Sequence, residues 1–221
     1  MNRCAECELL QTGMNYRVHI PPPSEKIKGC LISRDPTREF LVPLQYFQQC
    51  NLDRKGLLCF DAPPRWLYDK IEYFLEFPEN SDEKMKKIRY FLDRECYWTH
   101  LQKCPTCKSG KKQDQRQINS TDKTEFFQPF QYPIAKKCAN QWFGSEFDEY
   151  GLEDKIIITC GRDVEKLFSK WSKENLRVSD LKVINFPHPS GANCGNGWSW
   201  NKNTHEKERI NSEINRLLDL V

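Results

Sequence analysis

Residues 155–171 read KIIITCGRDVEKLFSKW, and they combine two patterns that together indicate a fold class. Residues 155–160 form a continuous apolar, β-branched run, which is typical of a strand buried on both faces, as in a parallel sheet. Gly161 then supplies a turn into a helix over residues 162–171. The apolar face of that helix is formed by Val164, Leu167 and Phe168. A buried strand that runs through a turn into an amphipathic helix predicts an α/β domain.

Further short apolar runs alternate with helical patterns along the rest of the chain. Strands are predicted at residues 28–33, 97–101 and 182–186. A helix is predicted over residues 83–96, and another follows Asn203, which with Glu206 forms a capping box. This alternation predicts an α/β fold, a three-layer αβα domain around a central, mainly parallel four-stranded sheet. We expect residues 1–221 to form this single domain, with a polar insert at residues 108–124.

Composition excludes several classes of protein. The chain has 221 residues, among them 6 Trp, 8 Tyr and 13 Phe, so it can bury a large core and is neither collagen-like nor disordered. No apolar run approaches the roughly 18 residues that a membrane span needs. The N-terminal sequence MNRCAECELL lacks the apolar segment of a secretory signal. We therefore expect a protein of the cytoplasm or the nucleoid that does not enter a membrane.

Charge neither requires nor forbids nucleic acid as a partner. The chain carries 34 basic and 31 acidic residues, a net charge of +3. The insert at 108–124 holds five Lys or Arg against two Asp, an excess as large as that of the whole chain. It is either a solvated loop or an arm that contacts phosphates. Arg34, Arg38 and Lys103 are further basic residues that fit a nucleic-acid surface or an ordinary solvated one.

The eleven cysteines are an odd number in a chain without a secretory signal, which argues against a disulfide scaffold. Cys4 and Cys7 form one CxxC pair, and Cys104 and Cys107 form a second. Four thiolates drawn from these and Cys138 fit either a zinc ion or an iron–sulfur cluster, with zinc the first expectation from spacing alone. The cysteines within apolar runs are expected to be buried small side chains, namely Cys30, Cys59 and Cys160.

Two polar residues at predicted strand ends are the candidates for chemistry. Asp35 follows the first strand, and His188 follows the last in the loop HPSGAN. Ligands of open parallel sheets bind outside the carboxyl ends of the strands. A carboxylate and an imidazole placed there suit hydrolysis, because the carboxylate steadies positive charge or orients water and the imidazole stabilises a departing anion. The chain lacks the GxxxxGK[ST], GxGxxG, HExxH and GxSxG motifs, so kinases, nucleotide dehydrogenases, zincins and α/β-hydrolases lack support.

Six motifs occur along the chain in an order that resembles a known superfamily. They are CAECEL from residue 4, LISRDP from residue 31, YWTHLQKCP from residue 97, IAKKC from residue 134, IIITCG from residue 156 and HPS from residue 188. Their order, over nearly the whole chain, resembles the uracil-DNA glycosylase superfamily, and most closely its iron–sulfur type, family 4. The Asp-Pro turn at Asp35 and the His-Pro-Ser loop at His188 are similar instead to family 1.

The resemblance implies a [4Fe-4S] cluster as the cofactor, with zinc as the alternative. The cluster ligands of the family match Cys4, Cys7, Cys104 and Cys138, which leaves Cys107 as a bystander. Such a cluster would join the N-terminus to the domain and is not expected to take part in the reaction.

The resemblance also implies a reaction, the hydrolysis of the N-glycosidic bond of a deaminated base that has been flipped out of DNA. Asp35 would stabilise the oxocarbenium-like sugar or position water, and His188 would stabilise the anionic leaving base. Phe60 resembles the residue on which the base stacks, and Ser190 is assigned to base binding in the loop of His188.

His100 matches the position at which family 4 has the Asn that binds the edge of uracil. An amide offers a donor and an acceptor on one group, whereas a neutral imidazole offers them on opposite sides of a ring. The resemblance therefore favours uracil as the base and leaves hypoxanthine and xanthine open. The alternative role of His100 is structural support beside the cluster.

Contacts with the DNA are assigned by resemblance to Arg34, Ala192, Asn193 and Trp198. Ala192 matches the wedge position and is small. Trp198 or Trp200 is therefore the candidate to fill the space that the flipped base leaves.

Together these features predict a monomeric, monofunctional uracil-DNA glycosylase-like hydrolase of base excision repair. Its partner would be DNA containing a deaminated base, and its product an abasic site. One alternative is a catalytically inactive nucleic-acid-binding protein of the same fold. Another is a zinc-stabilised interaction protein unrelated to DNA repair.

Overall fold

Four short parallel strands form the centre of the molecule. The computed structural model describes residues 20, 22–23, 25–34, 63–75, 81–103, 132–176, 181–189, 199–200 and 206–221. The strands are β1 (Gly29–Ser33), β2 (Cys96–His100), β3 (Ile156–Cys160) and β4 (Lys182–Phe186). They form one sheet in the order β2-β1-β3-β4, and every neighbouring pair is parallel. Ile32 lies opposite Thr99 on one side and Thr159 on the other, which sets the register.

The helices in the described ranges lie between or after the strands. They are α1 (Pro63–Phe74), α2 (Ser81–Tyr90), α3 (Tyr132–Cys138), α4 (Gly144–Glu149), α5 (Arg162–Asn175) and α6 (Lys207–Leu220). A π turn (Phe91–Glu95) continues α2 directly into β2, and a second π turn (Ala139–Phe143) continues α3 into α4. A 3-10 turn (Leu152–Asp154) precedes β3.

Side chains alternate across the strands, so each face of the sheet has its own core. The strands contribute Leu31, Trp98, Ile158 and Phe186 to the first core. Helices α1, α2 and α6 pack there. The strands contribute Cys30, Ile32, Tyr97 and Ile157 to the second core, which helices α3, α4 and α5 cover. The predicted three-layer αβα fold around a parallel four-stranded sheet is thereby confirmed.

The predicted strands agree with the observed ones to within one residue. The strand predicted at 182–186 has those bounds as β4, and the strand predicted at 97–101 is shifted by one residue in β2. β1 and β3 each begin one residue later than predicted. The sheet is parallel throughout the described strands rather than mainly parallel.

The helix predicted over residues 83–96 is wrong at both ends. Helix α2 ends at Tyr90, the π turn occupies the next five residues, and Cys96 opens β2. Phe91 and Leu92 are buried, and they continue the apolar spacing of the helix through the π turn. The spacing of apolar residues alone therefore does not separate the α-helix from the π turn. Cys96 begins β2 because it pairs with Gly29 of β1.

The predicted capping box of the last helix is also wrong in the part that can be compared. Asn203 lies outside the described residues, and α6 begins at Lys207. Glu206 stands at the N-cap position, and its side chain makes no capping hydrogen bond. Its carboxylate lies 3.6 Å from Arg162 and 3.9 Å from Arg209, so these cations hold it instead of the helix backbone.

The order of the strands creates a switch point at the centre of the sheet. The strand that follows β1 in the chain lies on one side of it, and β3 lies on the other. In open parallel sheets, ligands bind outside the carboxyl ends of the two strands that flank such a point. The fold thus directs attention to the residues just after β1 and β3. No helix in the described ranges has the length and apolar character needed to cross a bilayer.

Candidate functional site

Four residues mark the carboxyl edge of the sheet. Arg34 follows β1, His100 ends β2, Gly161 follows β3, and His188 comes two residues after β4. Burial, and to a smaller extent the positive charge of Arg34, lowers the pKa of His188, and burial also lowers the pKa of His100. Ser33 pairs with His100 and Cys160 pairs with Phe186, so the four residues lie at neighbouring strand ends along one edge of the sheet.

Gly161 shapes the position of His188. Its φ of 100° is a conformation that residues with a side chain rarely adopt. Its N–H donates to the carbonyl oxygen of Phe186 at 2.8 Å, which joins the ends of β3 and β4. A Cβ added to Gly161 would lie 3.5 Å from Cβ of His188. That distance is an ordinary van der Waals contact, so the need for a glycine at residue 161 comes from its backbone turn, which brings His188 beside it.

His188 is held as a neutral imidazole. Burial lowers its pKa to about 4, and the positive charge of Arg34 adds to this effect. At neutral pH the ring therefore carries one N–H donor and one acceptor nitrogen. Such a neutral ring can still donate its N–H to an oxygen atom on which negative charge develops.

His100 is also neutral, and it is almost fully enclosed. Only 2% of the residue is exposed, and burial lowers its pKa well below the usual range, assisted by the positive charge of Lys103. Its ring centroid lies 5.2 Å from that of Trp98. Trp98 Nε1 donates to Ser33 Oγ at 3.2 Å, so the ring beside His100 is tied to β1.

Arg34 presents a partly exposed charge beside the two histidines. Its guanidinium lies 3.7 Å from the carboxylate of Asp163 in the first turn of α5. The side chain of Arg34 remains 35% exposed, so the ion pair is weak and the charge stays accessible to an anion. Its carbonyl oxygen accepts a hydrogen bond from the Gln102 amide at 3.0 Å, which fixes the backbone at the end of β1.

Trp200 is a core residue and not a wedge. It is 8% exposed, and its ring stacks on Phe186 with the centroids 5.4 Å apart. Its Nε1 donates to the carbonyl oxygen of Pro187 at 3.0 Å. The expectation that Trp200 could enter DNA is therefore wrong, and the residue instead supports the backbone next to His188.

Cys138 is the one expected cluster ligand within the described residues. Its Sγ accepts a hydrogen bond from the backbone N–H of Lys103 at 3.2 Å. Cluster thiolates commonly accept such N–H bonds, which tune the potential of the cluster. The chemistry at Cys138 fits a thiolate ligand, and the residue next to Lys103 in the chain is Cys104. A bound cluster would supply a fixed cross-link between the segments that carry its ligands.

Lys103 has a role that sequence reasoning missed. The sequence predicts that Lys103 lies on a nucleic-acid surface or an ordinary solvated one, but its side chain is only 2% exposed. Its Nζ donates to Glu146 Oε2 at 2.6 Å and also to Thr99 Oγ1. A lysine is usually exposed unless it is paired, and nothing in the local sequence identifies a partner 43 residues away.

The remaining expected site residues lie outside the described ranges. They are Asp35, Phe60, Ser190, Ala192, Asn193, Trp198, Cys4, Cys7 and Cys104. Their roles stay predictions. Within the described ranges, no group of three or more potential metal ligands is found.

Comparison with known proteins adds no assignment. No protein-family model matches the chain, and no curated protein matches it.

Proposed function

We propose that this protein is a monofunctional DNA glycosylase that removes a deaminated base, with uracil as the first candidate and hypoxanthine or xanthine as the others. The observation that supports this most is the pair of neutral histidines, His100 and His188, at the carboxyl edge of the sheet beside the cation Arg34. That combination suits a substrate with a neutral base and an anionic backbone.

His188 would act on the leaving base. Cleavage of the glycosidic bond leaves negative charge on the base, and a neutral imidazole can donate its N–H to the oxygen that carries this charge. Because burial and, to a smaller extent, Arg34 lower the pKa of His188, the ring is neutral at physiological pH and donates without transferring its proton.

Asp35 would act on the sugar. It follows Arg34 directly in the chain and therefore follows β1, one of the two strands at the switch point. A carboxylate there would stabilise the positive charge that develops on the sugar and would orient the attacking water. Base flipping would bring the nucleotide into the crevice before either residue acts.

A [4Fe-4S] cluster bound by Cys4, Cys7, Cys104 and Cys138 is proposed as the cofactor, with zinc as the alternative. The N–H bond from Lys103 to the sulfur of Cys138 supports a thiolate at this position. The cluster is proposed as a structural cross-link.

The test is cleavage of oligonucleotides that contain uracil, hypoxanthine or xanthine, in single strands and in mispairs, followed by alkali. The wild-type protein should produce strand breaks at one of these bases. Asp35→Asn and His188→Ala should each lower the rate by about a hundredfold or more, because each removes a group that acts in the transition state. Lys166→Ala, on the exposed side of α5, is the matched control and should cleave normally. Absence of cleavage in the whole panel, from protein that contains its metal, would refute the enzyme for these bases.

A nucleic-acid-binding protein without catalysis is the second candidate. The enclosure of His100, at 2% exposure, favours it, because a base must reach this ring in order to be recognised by it. In that case Asp35→Asn would bind DNA as tightly as the wild type, and neither protein would release a base.

A further inference from the structure

A buried cation lies directly behind the carboxyl end of β2. The Nζ of Lys103 donates to Thr99 Oγ1 and, at 2.6 Å, to Glu146 Oε2. Thr99 Oγ1 donates to the same carboxylate oxygen at 2.6 Å. The side chains of Lys103 and Glu146 are 2% and 9% exposed. The three groups thus form a closed network, defined here as the Lys103 clamp, between β2 and α4.

The backbone amides of residues 101–103 also form hydrogen bonds. The Leu101 amide donates to the Ser33 oxygen, and the Gln102 amide donates to the Arg34 oxygen, each at 3.0 Å. The Lys103 amide donates instead to Cys138 Sγ at 3.2 Å. Three successive amides therefore extend the pairing with β1 and cross to the end of α3.

The side chain of Lys103 and its backbone amide both bind to one helical segment. Cys138 ends α3 and Glu146 lies in α4, with the π turn (Ala139–Phe143) between them. The Nζ of Lys103 also lies 6.0 Å from the ring centroid of Phe143 in that turn. Because a π turn changes the rotation of a helix, it provides a reason why both residues face Lys103.

We propose that Lys103 is a positioning residue, because the clamp fixes the turn after β2. Through that turn it fixes the position of His100 at the sheet edge. It also fixes the position of the Lys103 backbone N–H that donates to Cys138 Sγ. This inference rests on the proposed function where it concerns His100 as a base-binding residue. Its structural part, the ordering of residues 101–103 by the clamp, stands on the contacts alone.

The hydrogen-bonded ion pair of Lys103 and Glu146 is directional, whereas a pair of apolar side chains is not. Replacing a buried ion pair by apolar side chains of similar size is often neutral or stabilising, so stability alone does not explain the clamp. Hydrogen bonds are directional, however, and those of Lys103 select one position of its backbone. A one-ångström displacement of a group at a site can lower turnover by about a hundredfold.

The test compares Lys103→Met with the double variant Lys103→Met/Glu146→Met. The single variant leaves a buried carboxylate unpaired, so its melting temperature should fall. The double variant should regain the melting temperature of the wild type. If Lys103 positions the turn, hydrogen exchange of the amides at 101–103 should still be about tenfold faster in the double variant than in the wild type. Its kcat on the cleaved oligonucleotide should be lower by roughly tenfold to a hundredfold, with the Kd for DNA unchanged.

Lys28→Met is the matched control, because Lys28 pairs with Glu95 at 2.6 Å but is 59% exposed and lies before β1. It should change neither the exchange at 101–103 nor kcat. Recovery of wild-type exchange and kcat along with stability in the double variant would overturn the proposal. If the wild type cleaves no base, the proposed function fails, and the exchange at 101–103 alone decides the inference. Should the double variant not fold, Thr99→Val serves instead, since it removes one acceptor of Lys103 and should speed the same exchange.

Discussion

Gly161 has a backbone conformation that restricts which residues can replace it. We predict that Gly161→Ala lowers the free energy of unfolding by about 1–3 kcal/mol, since its φ of 100° is strained for any residue with a Cβ. Relief of that strain would move the backbone under His188, so base release should fall as well. Denaturant unfolding and the cleavage assay measure the two effects.

The control for this substitution is Gly151→Ala. Gly151 has a φ of 56°, and a Cβ placed there would meet nothing within 4 Å. Gly151→Ala should lower the free energy of unfolding by about 1–2 kcal/mol, because of the left-handed backbone alone, and should leave base release unchanged. Equal loss of activity in both variants would contradict a local role for Gly161.

The titration of His188 predicts how stability depends on pH. Its pKa falls from the usual 6.5 to about 4 on folding, so the unfolded chain binds the proton more readily between these values. Above pH 6.5 the residue contributes no pH dependence, and as the pH falls from 6.5 to 4 it removes up to about 3 kcal/mol of stability. Unfolding curves at several pH values should show a smaller loss in His188→Asn than in the wild type. An equal loss in both proteins would show that His188 is not the group responsible.

The sequence allows the position of His188 after β4 to be predicted, but not its protonation state. A histidine after an apolar strand is visible in the sequence, whereas its neutrality depends on burial and on Arg34, which belongs to a distant strand. The burial of Lys103 is not visible in the sequence for the same reason. Its burial depends on Glu146, and only the folded chain brings the two together.

The π turn after α2 shows how one element fits another. Phe91 packs so closely on Gly29 of β1 that a Cβ on the glycine would overlap the Cζ atom of the ring and lie 2.9 Å from Cε2. The backbone oxygen of Ile156 lies 3.0 Å from the same point. β1 can therefore pass between the turn and β3 only because residue 29 has no side chain.

Gly29→Ala should consequently destabilise the protein by about 1–3 kcal/mol through overpacking. Phe91→Leu in the same chain should recover part of that loss, since it removes the ring that the new methyl meets. A double-mutant cycle by denaturant unfolding measures the coupling. Additive effects of the two substitutions would mean that the ring and the glycine do not constrain each other.

The elements were easier to predict than their ends. Apolar runs of about five residues between helical patterns identified the four strands, because strands that are largely buried carry mainly apolar side chains. The transition from α2 to the π turn was missed, because Phe91 and Leu92 keep the helical spacing. The π turn is set by the pairing of Cys96 with β1 rather than by local preference.

In the whole molecule, the proposed cluster would join the helical layer at Cys138 to the N-terminal CxxC pair. Cys138→Ala should therefore lose most of the bound iron and the visible absorption of anaerobically purified protein, since it removes one of four ligands. Cys160→Ala is the control. Burial raises the pKa of the Cys160 thiol, which lies in β3 and is not a thiolate available to a metal. Iron retained by Cys138→Ala, or zinc found in place of iron, would contradict the proposed ligand set.

The three-layer architecture was predictable from the sequence, but the order of its strands was not. Alternation of strand and helix patterns implies a covered parallel sheet. The order β2-β1-β3-β4 depends on which strand edges pair, and this pairing is non-local. That order nevertheless decides the site, because it places the switch point between β1 and β3 and so beside Arg34 and Gly161.

The most direct test of the central claim is mass spectrometry of the reaction in water enriched in ¹⁸O. DNA containing uracil, hypoxanthine or xanthine is incubated with the metal-containing protein, and both products are weighed. The account predicts a free base and an abasic strand that has gained one ¹⁸O atom, with neither product formed by His188→Ala. Bound but intact DNA at all three bases would contradict the glycosylase and favour the binding protein.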